Sequence, residues 1–461
     1  MSWDLDTLLL SRIQFAFTIA FHILFPTLTI GLAAYVALLE GLWLKTRDDA
    51  YRRECIFWGR VFALGFGMGV VSGVVLSYEV GTNWGGFSRV AGNIVGPLMM
   101  YEVLAAFFLE AGFLGVMLFG WNRVGPRLHY LATLMVATGT FFSAFWILAA
   151  NSWMNTPAGF ELRDGIFHAE NWIEAIFTPS FPYRLAHMLL ATYVTTGFVI
   201  AGISAWYLER GQHPRAARRG IRVAVISLAL LVPLQIVVGD LHGLVAYEHQ
   251  PTKVAAIEGH WKTGRGVPLL LFAWPDAEAE RNRFEIGIPR GASLLLERSL
   301  DGEVPGLDAV PREDRPNVAL VFFSFRVMVG IGLIMLALAW TGAWLLRRGT
   351  LETSPRFLRL LVWASPLGFV ATIAGWFVNE AGRQPWVVYG HLRTADAVSD
   401  VPAAQVAASL GLFFIVYALL MAAFLWYLFK LIRRGPEPGQ DRPRLDTEAP
   451  ARPAFMPASD E

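Results

Sequence analysis

Hydrophobic residues in this chain run in unbroken blocks instead of alternating with polar ones. A hydrocarbon core about 30 Å thick takes about 20 helical residues to cross. Nine blocks meet that length: 13–43, 56–80, 95–121, 130–150, 184–208, 223–241, 318–346, 360–380 and 406–431. The pattern predicts an all-α polytopic membrane protein with nine transmembrane helices. The segment before the first block is short and acidic (Asp4, Asp6). The block itself is far longer than a signal-peptide core of about 7–15 residues, so it is expected to stay as the first spanning helix.

Between the blocks, polar residues are sorted by charge. Lys45, Arg47, Arg52 and Arg53 follow helix one, Arg123 and Arg127 follow helix three, and Arg210, Arg215, Arg218 and Arg219 follow helix five. Arg347, Arg348, Arg356 and Arg359 follow helix seven, and Lys430, Arg433 and Arg434 close helix nine. Every second connection is basic, which puts the amino terminus outside and the carboxyl terminus inside. The chain then divides into helices one to six within 1–240, a long outer loop at 241–316, helices seven to nine within 317–434, and a tail at 435–461. A connection as long as that loop is functional or disordered. The tail, rich in Pro, Arg, Asp and Glu, is expected to be disordered.

Composition supports this class: 55% of the 461 residues are hydrophobic and 16% charged, against about 25% charged in soluble domains. The net charge of +1 gives no hint of a nucleic-acid partner. Cys55 is the only cysteine, which excludes a disulfide framework, a Cys-ligated iron–sulfur cluster and C-x-x-C-H haem attachment. Any bound metal has to be held by His, Met or carboxylate.

The chemistry therefore rests on polar residues inside the blocks. Of nine histidines only His22 and His187 fall well within them, too few for two bis-His haems. His22 lies ~14 Å from the outer end of helix one at 1.5 Å per residue. Pro26 removes the N–H that would bond the His22 carbonyl, so a bend is expected there. His187 follows Pro182 near the outer start of helix five. Met328 is ~15 Å into helix seven, two residues after Arg326. Glu380 ends helix eight, with Trp376 one turn before it and Arg383 after it. These four possible metal ligands, His22, His187, Met328 and Glu380, share the outer half of the bilayer.

Glu102 and Glu110 lie eight residues apart on helix three, ~12 Å along the axis and ~80° in azimuth. Intramembrane carboxylates usually mark proton or ion pathways, and a link between these two needs water or a group such as Ser143. Gly65, Gly69 and Gly73 make a small-residue stripe suited to close helix packing. These residues alone leave open a proton-coupled redox protein and an ion or small-molecule transporter. Transporters usually show paired repeats around a midplane site, and no internal repeat is visible.

Longer motifs narrow the choice. Gly81-Thr82-Asn83-Trp84, Glu102 through Glu110 with Ala-Phe-Phe-Leu between, Phe145-Trp146-Ile147-Leu148 before Asn151, Gln250-Pro251 with Lys253 and Glu258, Phe325-Arg326-Val327-Met328-Val329-Gly330 and Gly382-Arg383-Gln384-Pro385-Trp386 resemble motifs of one family. That family is subunit I of the cytochrome bd-type quinol oxidases, and the resemblance runs over nearly the whole chain. The outer loop is similar to the short form of the family's quinol loop, as in the cyanide-insensitive oxidases.

The resemblance implies that His187 and Met328 are axial ligands of a low-spin haem b, a closed, electron-transferring iron. It implies that His22 and Glu380 each ligate one high-spin haem, a second haem b and a haem d or third haem b, with the pairing of ligand and haem open. Trp376 would pack between cofactors, and Arg326 and Arg383 would meet haem propionates. Lys253 and Glu258 are similar to residues linked to quinol oxidation, although such residues in a loop are ordinarily solvated charges. Quinol would be oxidised outside, and dioxygen reduced to water with protons entering from inside past Glu110 and Glu102. This arrangement would generate proton motive force without a pump. Expected partners are a second large membrane subunit, a small single-helix subunit, quinol and dioxygen, in a bacterial cytoplasmic (inner) membrane.

Overall fold

The computed structural model describes residues 6–436; the tail expected to be disordered lies outside them from residue 437 on. Among the described residues, nine helices are long and apolar enough to cross a membrane: Thr7–Thr46, Asp49–Thr82, Gly85–Phe119, Pro126–Asn155, Trp172–Glu209, Pro214–His249, Arg312–Arg347, Pro355–Ala381 and Ala403–Arg434. In chain order these are helices one to nine.

Their cores coincide with the apolar blocks, but their ends overrun them, because capping ends a helix and hydropathy does not. Asp6 accepts from the Leu8 and Leu9 amides, Asp48 from Ala50 and Asn317 from Leu320, each satisfying amides that the first turn leaves unpaired. Helix six runs on through Asp240, His242 and Glu248 to His249. Residues 241–249, read from sequence as the start of the loop, are therefore helical.

Three helices depart from regularity. Helix eight breaks at Ser365-Pro366 into Pro355–Ala364 and Leu367–Ala381, where proline has no N–H to carry the ladder across. Helix three contains a π turn at Ala106–Ala111. Helix five is preceded by a short turn at Trp172–Ile176 and runs regularly from Phe181. Helix one stays continuous through Pro26; the hydroxyl of Thr27, next to it, bonds the Ile23 carbonyl at 2.6 Å.

Helix one is the centre of the bundle, packing against helices two, four, five, eight and nine. Its most apolar window is 72% buried, against 11% for helix nine. Gly31 makes one close approach possible, since a Cβ there would lie 2.4 Å from Thr196 Oγ1 of helix five.

The connection between helices six and seven is ordered. It holds a helix at Pro251–Glu258, a hairpin pairing Leu269–Asp276 with Arg281–Ile288, and a helix at Gly291–Glu297. Ala255, Ala256, Ile257 and Trp261 pack against Val318 and Val321 of helix seven and Val378 of helix eight. Full burial of an aliphatic side chain contributes about 1.5–3 kcal/mol, so this contact holds the loop down on the bundle. The side it covers is the loop face, and the opposite side is the basic face.

Candidate functional site

A cavity of about 1800 Å³ opens between the helices under the loop, well above the roughly 300–1,000 Å³ of a single small-molecule pocket. His22, His187, Met328 and Glu380 line it, as do Glu102, Glu110, Lys253, Glu258, Arg326, Trp376 and Arg383. Residues scattered from position 22 to 383 thus share one space.

Three glycines on three other helices make room for three of the possible ligands. A Cβ on Gly73 of helix two would lie 3.2 Å from His22 Cε1, and one on Gly239 of helix six 3.1 Å from His187 Cε1. A Cβ on Gly375 of helix eight would lie 2.8 Å from Met328 Sδ. The sequence stripe Gly65, Gly69, Gly73 thus serves two ends. Gly65 and Gly69 admit Thr29 and Phe25 of helix one, as expected for packing, while Gly73 admits His22.

The His22 tautomer follows from its partner. Ser72 Oγ lies 2.8 Å from the Met68 carbonyl and 2.9 Å from His22 Nδ1. Its one hydrogen goes to the carbonyl, so it accepts from Nδ1–H and leaves the lone pair on Nε2, the arrangement of a metal-ligating histidine. His187 Nε2 meets Gln235 Nε2 at 3.3 Å, and its Nδ1 is buried without a partner. An unmade hydrogen bond of this kind costs about 1–3 kcal/mol.

Glu380 is held from three sides. Asn151 and Asn379 donate to Oε1 at 2.9 and 2.6 Å, and Arg383 pairs with Oε2. Arg184 Nη1 in turn bonds Asn151 Oδ1 at 3.0 Å and Asn379 Oδ1 at 2.5 Å. From sequence Arg184 carried only a topology signal. Its spacing of three residues from His187, which puts both on one helical face, could have revealed it. Gln235 and His242 of helix six were also missed; the His242 ring centroid lies 5.7 Å from that of His187.

The two acids of helix three line the same cavity. Each regular step turns the helix by about 100°, and a π turn accommodates one extra residue, so the offset falls from ~80° to roughly 20°. The π turn thus brings Glu102 and Glu110 towards one face, correcting the azimuth expected from sequence. Ser143 Oγ donates to Glu102 Oε1 at 2.9 Å, while Glu110 Oε1 is buried without a partner.

Lys253 and Glu258 are not solvated; each is 3% exposed. Lys253 Nζ donates to Asn155 Oδ1 at 3.0 Å and Gln250 Oε1 at 2.5 Å. Its stem passes over Gly382, where a Cβ would come within 2.8 Å of it. Burial, reinforced by Arg184 and opposed by Glu380, holds the Lys253 amine well below the usual lysine range. Burial raises the Glu258 carboxyl, against the opposing effect of Arg326 at 3.4 Å. Arg326 is turned towards the loop, donating to the Leu270 carbonyl at 2.7 Å and to the Ile257 carbonyl. Arg383 bonds the Val387 carbonyl as well as Glu380, and its Nε is buried and unpaired.

Among the described residues no three of His, Cys, Asp or Glu converge on one point. A bare ion would need such a cluster, whereas a haem brings four nitrogens and asks the protein for one or two ligands. Single ligands facing a large apolar cavity, glycine-relieved walls and an unpaired His187 nitrogen fit haem.

Known proteins point the same way. The family model described as cytochrome bd terminal oxidase subunit I matches residues 10–436. Cytochrome bd ubiquinol oxidase subunit 1 of Bacillus subtilis (strain 168) is 35% identical over 445 residues, covering 94% of this chain and 95% of the relative. Cytochrome bd-II ubiquinol oxidase subunit 1 of Escherichia coli (strain K12) is 33% identical over 501 residues, covering 94% and 97%. The solved bd oxidase from Geobacillus thermodenitrificans superposes with a TM-score of 0.86 at 32% identity, covering 93% of this chain and 99% of that one.

Proposed function

Because the chain belongs to the cytochrome bd terminal oxidase subunit I family, and so is a haem-bearing membrane subunit of a terminal quinol oxidase that works with a second subunit, we propose how its residues divide the reaction. Family membership decides against the transporter alternative. The loop face is the outer one, as the basic connections indicate. Quinol is oxidised under the loop, where Lys253 and Glu258, the pKa of the amine lowered and that of the carboxyl raised by burial, bind its hydroxyls and accept protons. Arg326 fixes the loop helix that carries both, two residues from Met328.

His187 and Met328 hold a low-spin haem b. His22 and Glu380 each hold one of two high-spin haems, a second haem b and either haem d or a third haem b. Bound haem supplies one-electron transfer and an open iron for dioxygen; the chain supplies position, charge and protons. Ser72 orients His22, and the Asn151–Asn379–Arg383 cage orients Glu380. Arg184 and Arg383 meet propionates, and Trp376 packs between cofactors. Protons climb from the inner side through Glu110 to Glu102 and Ser143, so that water forms from inner protons while quinol protons leave outside. Proton motive force arises without a pump. The complex includes a small single-helix subunit and sits in the bacterial cytoplasmic (inner) membrane, with residues 250–317 as its quinol loop.

One observation carries this reading: a single cavity is lined by all four possible ligands, both intramembrane acids and the buried Lys253 and Glu258. A reduced-minus-oxidised optical spectrum with extracted-haem analysis of the purified complex tests it. Low-spin and high-spin signals are expected, and a complex without haem would overturn it.

A further inference from the structure

Behind His22, away from the cavity, a ladder of polar side chains runs to the loop face between helices one, two and nine. The rungs are one turn apart on helix one. His22 with Ser72 is the innermost; next comes Thr18, whose Oγ1 donates to Glu79 Oε1 at 2.7 Å; then Gln14, which accepts from Asn83 Nδ2 at 3.1 Å and bonds Ser409 of helix nine at 3.2 Å. Glu79 and Asn83 are likewise one turn apart on helix two, so the two helices present polar faces to each other.

Glu79 is the anomaly in this ladder. It is 1% exposed, and its Oε2 has no hydrogen-bond partner. The hydroxyl of Tyr417 on helix nine faces the same Thr18–Glu79 pair and is also buried and unpaired, as is Ser11 Oγ one turn beyond Gln14. Three unpaired buried oxygens would each cost about 1–3 kcal/mol, and waters with two to four polar partners remove that cost. The titratable group that faces Glu79 is Tyr417 from helix nine.

We propose that this ladder is a hydrated proton path from the loop face, and that Glu79 takes up a proton along it to offset the charge of each electron arriving at the His22 site. The proton comes from water at the loop face and returns there on reoxidation. Only an O–H bond is made and broken, and the electron is the one quinol oxidation supplies. This path is separate from the Glu110–Glu102 route, since Glu79 and Thr18 do not line the cavity. It rests on His22 holding a haem.

The test is Glu79→Gln in the intact complex, read by optical redox titration across pH and by infrared difference spectra in H2O and D2O. In the native complex the potential of the His22 haem is expected to vary with pH, and a carboxyl band to appear on reduction. In the variant the band is lost and the pH slope of that haem flattens, with haem content and the low-spin potential unchanged. An identical slope and band would overturn the proposal. Gln14→Leu breaks the path without touching Glu79, and is expected to keep the band while slowing its deuterium exchange severalfold. Unchanged exchange overturns the path even if Glu79→Gln fails to assemble. His22→Ala distinguishes the premise: full retention of both high-spin signals there removes His22 as a ligand, whatever Glu79 does.

Discussion

The sharpest check on the ligand assignment is a methyl group placed on helix eight. Gly375→Ala sets a Cβ 2.8 Å from Met328 Sδ, about 1 Å inside the ~3.5–4.0 Å at which non-bonded heavy atoms rest. A free methionine would swing aside at little cost, but one fixed on an iron cannot. Overpacking of this kind costs about 1–3 kcal/mol, which is roughly 5- to 150-fold in the equilibrium between ligated and displaced sulfur. The expected spectrum therefore shows a weakened or split low-spin band, with carbon monoxide binding at the high-spin centre retained. Met328→Leu should lose the low-spin signal outright with the same carbon monoxide response. Gly411→Ala on helix nine, where a Cβ would meet nothing within 4 Å, serves as control. A native low-spin band in both Gly375→Ala and Met328→Leu would refute Met328 as a ligand.

Two further outcomes are expected. Glu110→Gln should keep the haem spectra yet slow oxygen reduction by roughly a hundredfold, the low end for a proton-transfer group; native turnover removes it from the path. Lys253→Met should lower kcat/KM for quinol roughly 2- to 10-fold, as for one neutral hydrogen bond, with reduction by an artificial donor unchanged. Because burial depresses the Lys253 pKa, the unfolded chain holds a proton that the folded one lacks. That site makes stability fall as pH drops below the ordinary lysine range near 10.4, and the variant should flatten this dependence in thermal unfolding across pH. Equal slopes in the two proteins would contradict a lowered Lys253 pKa.

The nine spans were legible because a bilayer demands long apolar blocks, and His22, His187 and Glu380 stood out because polar groups there are costly. What escaped the sequence was set by backbone and by distant partners. Nothing in Ala106–Ala111 signals a π turn, yet it alone brings Glu110 towards the face of Glu102. Apolar blocks ended at Leu241 because Asp240 and His242 are polar, whereas the helix has no reason to stop before His249. Lys253 and Glu258 looked like solvent charges until Ala255, Ala256 and Ile257 drew their helix against the bundle. Arg184 was counted for its charge, and its bonds to Asn151 and Asn379 depend on helices four and eight meeting helix five. The resemblance to a family supplied the roles of Lys253, Glu258 and Met328, which residue chemistry alone left ordinary.

The central position of helix one also dictates an order of construction. It is the earliest made of the nine, and its neighbours are helices two, four, five, eight and nine, so its surroundings are completed only when synthesis is. Helix two brings Ser72, Glu79 and Asn83 to His22, Thr18 and Gln14 at once, whereas Ser409 of helix nine reaches Gln14 last. The last possible ligand, Glu380, emerges some 360 residues after the first. Cofactor loading is therefore a closing event of biogenesis, and a chain truncated before helix eight should reach the membrane and be cleared there without ever holding its full complement of haem.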